Sequence, residues 1–312
     1  MMGSGVRVPS AAPLSDPVNF DGTLTRKEPI SQITVVTVAY NSMAVLPDML
    51  ASLPEGMAVV IVDNSPEADP ALAALAKTHG AELLRNDVNC GFGAGCNRGA
   101  AAANTPFIMF LNPDATAMPG CFEALLQAAD TYPDVAAFNP RTLDGKGRVS
   151  FKRRSNLLPD QKRLSGPAPD KDTEVPVLSG AAIFVAKAMF DRVGGFDEDI
   201  FLYYEDDDLS LRLAQHGPLM HIPAAVVRHN DGHSTERSPQ TAYFKAYHLA
   251  RSRVFAQVKH GVPRARASVI LRSLAQMISP LMLNRRKRAK HMGYLAGAFS
   301  ALKDNGKSRV NS

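Results

Sequence analysis

The sequence has no tryptophan and only three cysteines, Cys90, Cys96 and Cys121, among its 312 residues. That count, with the C-x5-C spacing of the first two, excludes a disulfide-stapled scaffold and a cysteine-rich zinc module. The thiols read as reduced, small apolar residues in a reducing cytoplasm. Long apolar runs are missing too. The most apolar late stretch, Val269 to Leu283, is broken by Arg272, Gln276 and Pro280, short of the ~20 apolar residues a membrane-spanning helix needs. The opening MMGSGVRVPSAAPLSDP lacks the apolar core of a secretory signal, so residues 1–30 read as a disordered leader outside the fold. Acidic residues are nearly absent from one region: from Lys245 to Ser312 there are 15 Lys and Arg against Asp304 alone, a net +14. The whole chain is +5, so the 20 basic and 29 acidic residues before Lys245 leave −9.

What is present is a globular composition, 45% hydrophobic and 21% charged, enough for one large α/β domain with appendages. ITVVTVAY (33–40), MAVVIVDN (57–64) and PFIMFLN (106–112) are β-branched or apolar runs that end in polar turns. Shorter strands read at Ala81–Leu84 and Val135–Phe138. Helical patterns lie around VLPDMLASL, Pro70–His79, residues 94–104 and Pro119–Asp130. Strands alternating with helices imply a mixed, mainly parallel sheet flanked by helices, with ligands bound beyond the carboxyl ends of the strands. Residues 144–176, rich in Pro, Gly, Lys and Arg, read as a long mobile loop. Strand and helix patterns return over 177–229, and from about 239 everything reads as helix. The expected organisation is a leader (1–30), an α/β domain (31–238) with halves at 31–140 and 177–234, and a basic helical extension (239–312).

The extension lacks the interleaved aromatics of a nucleic-acid binder. It spaces Val269, Ile270, Leu274, Met277, Ile278, Leu281 and Met282 helically, then follows with Arg285, Arg286, Lys287, Arg288 and Lys290. Such a segment suits either a solvated helical surface or a helix lying on anionic headgroups; the second reading places the protein at the cytoplasmic face of the inner membrane. A partner subunit or a homo-oligomer remains open.

Polar clusters follow each strand. Asp63 in Asp63-Asn64-Ser65-Pro66 can cap a helix or accept from a ligand N–H, such as N3 of a pyrimidine. In Asn89-Cys90-Gly91-Phe92-Gly93-Ala94-Gly95-Cys96-Asn97-Arg98-Gly99, three glycines opening a helix point to close backbone approach, to phosphate among other groups. The G-x-G-x-x-G dinucleotide fingerprint fails there, because Cys96 or Arg98 stands where the last glycine belongs. Asn112-Pro113-Asp114 is either a plain turn or a carboxylate for Mg²⁺ or Mn²⁺. Four consecutive acids, Glu205 to Asp208, open a helix, more than its dipole needs. At 100° per residue Glu205, Asp208 and Arg212 share one stripe, and Asp206 lies inward beside Leu209 and Leu213. Neighbouring carboxylates and burial raise such a pKa while the helix N-terminus lowers it, an environment suited to a general base. His229 and His233 end the last sheet segment.

As a set, TVAYNS (37–42), VDNSP (62–66), NCGFGAGCNRG (89–99), LNPDA (111–115), LSGAAIFV (178–185), GGFDEDIFLYYEDDDLSLRL (194–213) and the His229–Ser234 turn resemble the family 2 glycosyltransferases of the GT-A fold, in the bacterial rhamnosyl- and galactofuranosyltransferase branch. The resemblance implies a UDP- or dTDP-sugar donor and a glycan or lipid-linked acceptor in cell-surface polysaccharide synthesis. It implies donor contacts from Thr37, Ala39, Tyr40, Asp63, Asn64, Asn89, Gly91, Phe92, Asn97, Asn112 and Asp114. Asp114 and His229 would hold Mg²⁺ or Mn²⁺. Asp206 would be the base, with Glu205 and Asp208 beside it and Arg212 paired to one of those neighbours. Ser179, Gly180, Ala181, Tyr204 and Glu205 would line the acceptor side. One departure stands out: Asn112 replaces the first carboxylate of the Asp-x-Asp that many relatives carry, so one charge is missing at the metal.

The expected reaction is an inverting transfer, with the 144–176 loop closing over the substrates. Two alternatives remain. A nucleotidyltransferase acting on sugar phosphates would carry a basic Gly-rich loop after the first strand, where TVAYNS stands instead. A non-catalytic, membrane-associated nucleotide-sugar-binding protein would not need Asp63, Asp114 and Asp206 intact.

Overall fold

The computed structural model describes residues 29–229 and 238–303. The expected leader falls almost entirely outside them, as do Asn230 to Ser234. The chain runs through β1 (Ile33–Ala39), α1 (Leu46–Ala51), β2 (Ala58–Asp63), α2 (Pro70–Thr78), β3 (Glu82–Arg85), α3 (Phe92–Ala102), β4 (Phe107–Leu111), β5 (Ala115–Ala117), α4 (Cys121–Thr131) and β6 (Ala137–Leu143). It continues through β7 (Val149–Ser150), β8 (Thr173–Glu174), β9 (Ala182–Ala186), α5 (Lys187–Arg192), α6 (Glu205–Leu213) and β10 (Leu219–His229). Helices α7 (Pro239–Lys259), α8 (Ala265–Met277) and α9 (Arg285–Lys303) follow.

One mixed, mainly parallel sheet, ordered β3-β2-β1-β4-β9-β6-β10-β5, forms the body, with β7 on β6 and β8 on β10. Strand alternation divides its core in two. Ile33, Val35, Ile61, Met109 and Leu111 face α1, α2 and α4, burying Leu46, Met49, Leu72 and Phe122. Val36, Val38, Val60, Val62, Ile108 and Phe110 face α3 and α6, burying Cys96, Ala100, Leu209 and Leu213. Both faces of the central strands are covered, so their side chains are buried throughout, each contributing roughly 1.5–3 kcal/mol.

Three elements depart from the sequence reading. Strand β6 runs past Phe138 to Leu143, through Pro140. The proline fits because the register with β10 jumps there, from Pro140↔Ile222 to Arg141↔Val226, and a bulge tolerates a residue without an N–H. Strand β5 is too short to show a period, yet it pairs antiparallel with β10, setting Ala115 opposite His229. The 144–176 segment is not a structureless loop. It pairs through β7 and β8 and buries Leu157 and Val175.

The basic extension packs as three helices. Gly293 and Gly297 of α9 leave no room for a Cβ against the Tyr243 and Tyr247 carbonyls of α7, so α7 and α9 run side by side in the same direction, and α8 packs against both. Ala246, Ala250, Val254, Val269, Tyr294 and Ala298 form their core. This bundle is tied to the sheet domain. The Ser252 hydroxyl donates to the Leu202 carbonyl at 2.9 Å, and the His248 ring lies 4.4 Å from that of Phe201. No helix of the described residues is long and apolar enough to cross a membrane.

Candidate active site

The polar clusters do gather at the carboxyl ends of β1, β2 and β4, where the parallel ladders stop. Ala39 and Asp63 are register partners. Asp63 is buried; one oxygen accepts from the Ser65 backbone N–H at 2.9 Å and the other from Arg85 at 2.5 Å. Arg85 was not foreseen; its signal is the register, since it ends β3 directly opposite Asp63. Thr37 is buried with its hydroxyl lacking a partner, while Tyr40 is exposed. Asn64 acts as a bolt, donating to the Gly91 carbonyl at 2.9 Å and accepting from Asn86 at 2.5 Å.

In the glycine-rich segment the close backbone approach that the sequence suggests is to protein at three positions: a Cβ on Gly93 would meet Phe196, one on Gly95 would meet Val38, and one on Gly99 would meet Val36 and Val62. The glycines let α3 lie directly on the sheet. Gly91 has φ +91° and its Cβ position is filled by the Phe201 carbonyl, which also accepts from the Phe92 N–H at 3.1 Å. Asn89 accepts from the Gly91 N–H at 3.0 Å. Asn97 clasps both backbone groups of Phe196 at 2.8 and 2.9 Å, so its side chain holds α3 to the segment before α6.

At the next corner, β5 pairing brings β4 and β10 together. His229 Nε2 lies 3.0 Å from an Asp114 oxygen and 3.4 Å from the Asn112 amide nitrogen. The Asn112 Oδ1 is buried without a partner, an acceptor left over in a site already holding a carboxylate and an imidazole. Among the described residues no group of three His, Cys, Asp or Glu gathers here or elsewhere. A hard cation that takes few protein ligands and completes its shell with phosphate oxygens fits this donor set. Lys245 of α7 lies close enough to feel both the Asp114 carboxylate and the Arg286 guanidinium.

The acidic helix is turned differently from the expected wheel. Tyr203 and Tyr204 precede it with φ of +67° and +69°, a left-handed pair that side chains of this size adopt only under constraint. Tyr204 is buried and its hydroxyl accepts from Asn156 at 3.1 Å. Of the acids, Glu205, Asp207 and Asp208 are the buried ones and Asp206 keeps partial exposure, 18% of its side chain, because α3 covers Glu205 and α7 covers Asp208. Asp206 accepts from the Gly180 N–H at 2.9 Å, the Asp207 N–H at 2.9 Å and Lys152 at 2.7 Å. Burial pushes its pKa up, but the Lys152 charge and these hydrogen bonds outweigh burial and hold it below the usual carboxylate range. The expected rise is thus absent on Asp206. It falls instead on Glu205 and Asp207, raised by burial and then by the neighbouring Asp206 charge.

Asp208 has no exposure and meets Arg212 at 2.8 Å, Lys259 at 2.6 Å and His260 at 2.8 Å. Burial raises its pKa, but the His260 hydrogen bond and the Arg212 and Lys259 charges overcome that and bring it to about 2. The expected Arg212 pairing is present, and it makes Asp208 a tie between α6 and α7 rather than a neighbour of the base.

A three-residue strap joins the two chemical corners. The Ala181 carbonyl accepts from the Asn112 N–H at 3.0 Å, Gly180 holds Asp206, and both backbone groups of Ser179 are clasped by Asn139 at 2.7 and 3.1 Å.

The model of glycosyl transferase family 2 matches residues 34–194. The chain belongs to that family. An N-acetylglucosaminyl-diphospho-decaprenol L-rhamnosyltransferase of Mycobacterium tuberculosis is 31% identical over 83% of this chain and 97% of its own length. A pre-mycofactocin glycosyltransferase of the same species is 31% identical over 68% of this chain and 46% of its own. Among solved structures, GalNAc-T7 with UDP, GalNAc and Mn²⁺ superposes with TM-score 0.58 at 14% identity, over 83% of this chain and 55% of that one. A mannosyltransferase from Pyrobaculum calidifontis with GDP-Man and Mn²⁺ gives 0.52 at 17%, over 88% and 87%. These glycosyltransferases share the fold described above, and this family member is a glycosyltransferase with the GT-A architecture.

Proposed function

We propose that this glycosyltransferase moves L-rhamnose, with galactofuranose as the alternative sugar, from a dTDP- or UDP-linked donor to a hydroxyl of a lipid-diphosphate-linked saccharide. The observation that carries this reading is the strap. It sets a partly exposed carboxylate, Asp206, beside the Asn112–Asp114–His229 corner, so an acceptor and a sugar diphosphate can be held in line. Asp206 takes the acceptor proton as the hydroxyl oxygen bonds the anomeric carbon, and the bond to the diphosphate breaks on the opposite face. Asp114, His229 and the Asn112 amide oxygen would hold Mg²⁺ or Mn²⁺, which supplies positive charge against the departing diphosphate. The full-length rhamnosyltransferase relative supports the sugar and the acceptor class. Incubation with dTDP-L-rhamnose and a synthetic N-acetylglucosaminyl-diphospho-lipid should release dTDP and a disaccharide lipid. Release of pyrophosphate, or no turnover of either sugar, would sink it.

Asp63 is assigned the pyrimidine N3–H. Asp63→Ala should weaken dTDP or UDP binding about tenfold or more by calorimetry, the ~1.5–3 kcal/mol of a hydrogen bond to a charged group. An unchanged Kd removes Asp63 from the base pocket.

The extension is assigned to an anionic membrane surface. Ile278 is 88% exposed and Leu283 87%, at the turn between α8 and α9, and Leu271 and Leu274 continue the apolar face. Arg285 to Lys290 follow at once. Ile278→Glu with Leu283→Glu should abolish sedimentation with phosphatidylglycerol vesicles while leaving the melting temperature within a few degrees. Undiminished sedimentation of that variant would assign the face to something other than lipid.

A further inference from the structure

Lys152 belongs to the segment that reads as loop, yet it reaches the acidic helix. Its Nζ lies 2.7 Å from Asp206 Oδ2 and 2.6 Å from Asp207 Oδ2. The backbone that carries it is held firmly. The Phe151 ring packs edge-on to His221 at 5.1 Å. Ser155 and Leu157 are buried, and Asn156 is bonded to Tyr204 and to Gln257 of α7 at 3.1 and 3.3 Å.

The charge problem at this helix is plain. Glu205, Asp206 and Asp207 stand together in one turn, and a helix N-terminus carries roughly half a positive charge. They cannot all remain ionised without a cation. Glu205 and Asp207 from its own helix and Lys152 from the segment across act on the Asp206 charge; the strap contributes the Gly180 N–H.

We propose that Lys152 is a positioning residue for the transfer reaction: it selects Asp206 as the carboxylate that stays ionised and fixes the direction in which that carboxylate points. The inference rests on the assignment of Asp206 as base. Protonation of Asp206 removes its capacity to accept the acceptor proton, so the rate rises with pH through its pKa. With Lys152 in place that rise lies at acid pH. Without it, an Asp loses a neighbour that lowers its pKa by about 1–3 units, and the rise moves upward.

The test is the pH profile of kcat/KM, with dTDP-L-rhamnose and the diphospho-lipid acceptor, for Lys152→Met, Lys152→Gln, Lys152→Arg and Asp206→Asn. Lys152→Met should move the acid limb up by about one pH unit or more, activity lost at acid pH returning as the pH rises; Lys152→Arg should keep the limb in place. Lys152→Gln removes the charge but keeps a polar head that can still donate to the carboxylates; it should move the limb up as well, and this arm stands even if Lys152→Met fails to fold. An inactive Asp206→Asn with an unmoved limb in Lys152→Met or Lys152→Gln overturns the role of Lys152. Near-normal turnover by Asp206→Asn overturns the base assignment itself.

Discussion

Asp206→Asn is expected to lower kcat by about 10²–10⁴-fold, the range for a positioned proton acceptor, with donor Kd changed little. The amide keeps the side chain's shape and can still accept from Gly180 and Lys152, so the local fold should persist. What disappears is the negative charge that receives the proton. Rapid-quench measurement of the first turnover separates this from slow product release. A first turnover at the wild-type rate would remove Asp206 from the reaction.

The second large effect is on stability. Asp208 is the hub of a buried ion cluster that contains Arg212, Lys259 and His260. Asp208→Ala strands Arg212 and Lys259 and removes the His260 partner, and removing one partner of a buried pair costs about 3–5 kcal/mol. Denaturant unfolding should show a drop of that size, and α7 should gain amide exchange because its last turn loses its anchor. The same residue sets an acid limit. Its folded-state pKa is depressed to about 2, so its contribution is complete above the unfolded value near 4 and fades as pH falls toward 2. In Asp208→Ala this part of the acid sensitivity should vanish. A variant that unfolds at the wild-type denaturant midpoint would show that the cluster does not hold the helices together.

The contrast between these two acids shows what sequence could reveal. Strands β1, β2 and β4 were legible because buried parallel strands are continuous apolar runs, and the polar turns after them raised Asp63 and Asp114 as candidates beside plain capping and turn readings, between which only the family resemblance chose. The Asp114–His229 pairing was legible only through resemblance, since β5 has three residues and no readable period. The acidic helix was located correctly and turned wrongly. Leu209 and Leu213 suggested an inward Asp206, but the first turn is covered by α3 on one side and by the distant Lys259–His260 on the other, which leaves Asp206 facing the cleft. Lys152 and Arg85 were missed for the same reason. A single cation crossing to an acid far away in sequence leaves no spacing to find. The glycine-rich segment was read as a close approach without its protein partners, because glycine reports closeness without naming what is close.

The placing of Lys245 has a geometric consequence. This residue interacts electrostatically with Asp114 on one side and Arg286 at the start of α9 on the other, so the basic extension reaches to within charge range of the corner proposed to hold the metal. If the proposed docking on anionic lipid holds, headgroups gathered by the extension come close to that corner, and a membrane-anchored acceptor would not have to leave the bilayer to reach it.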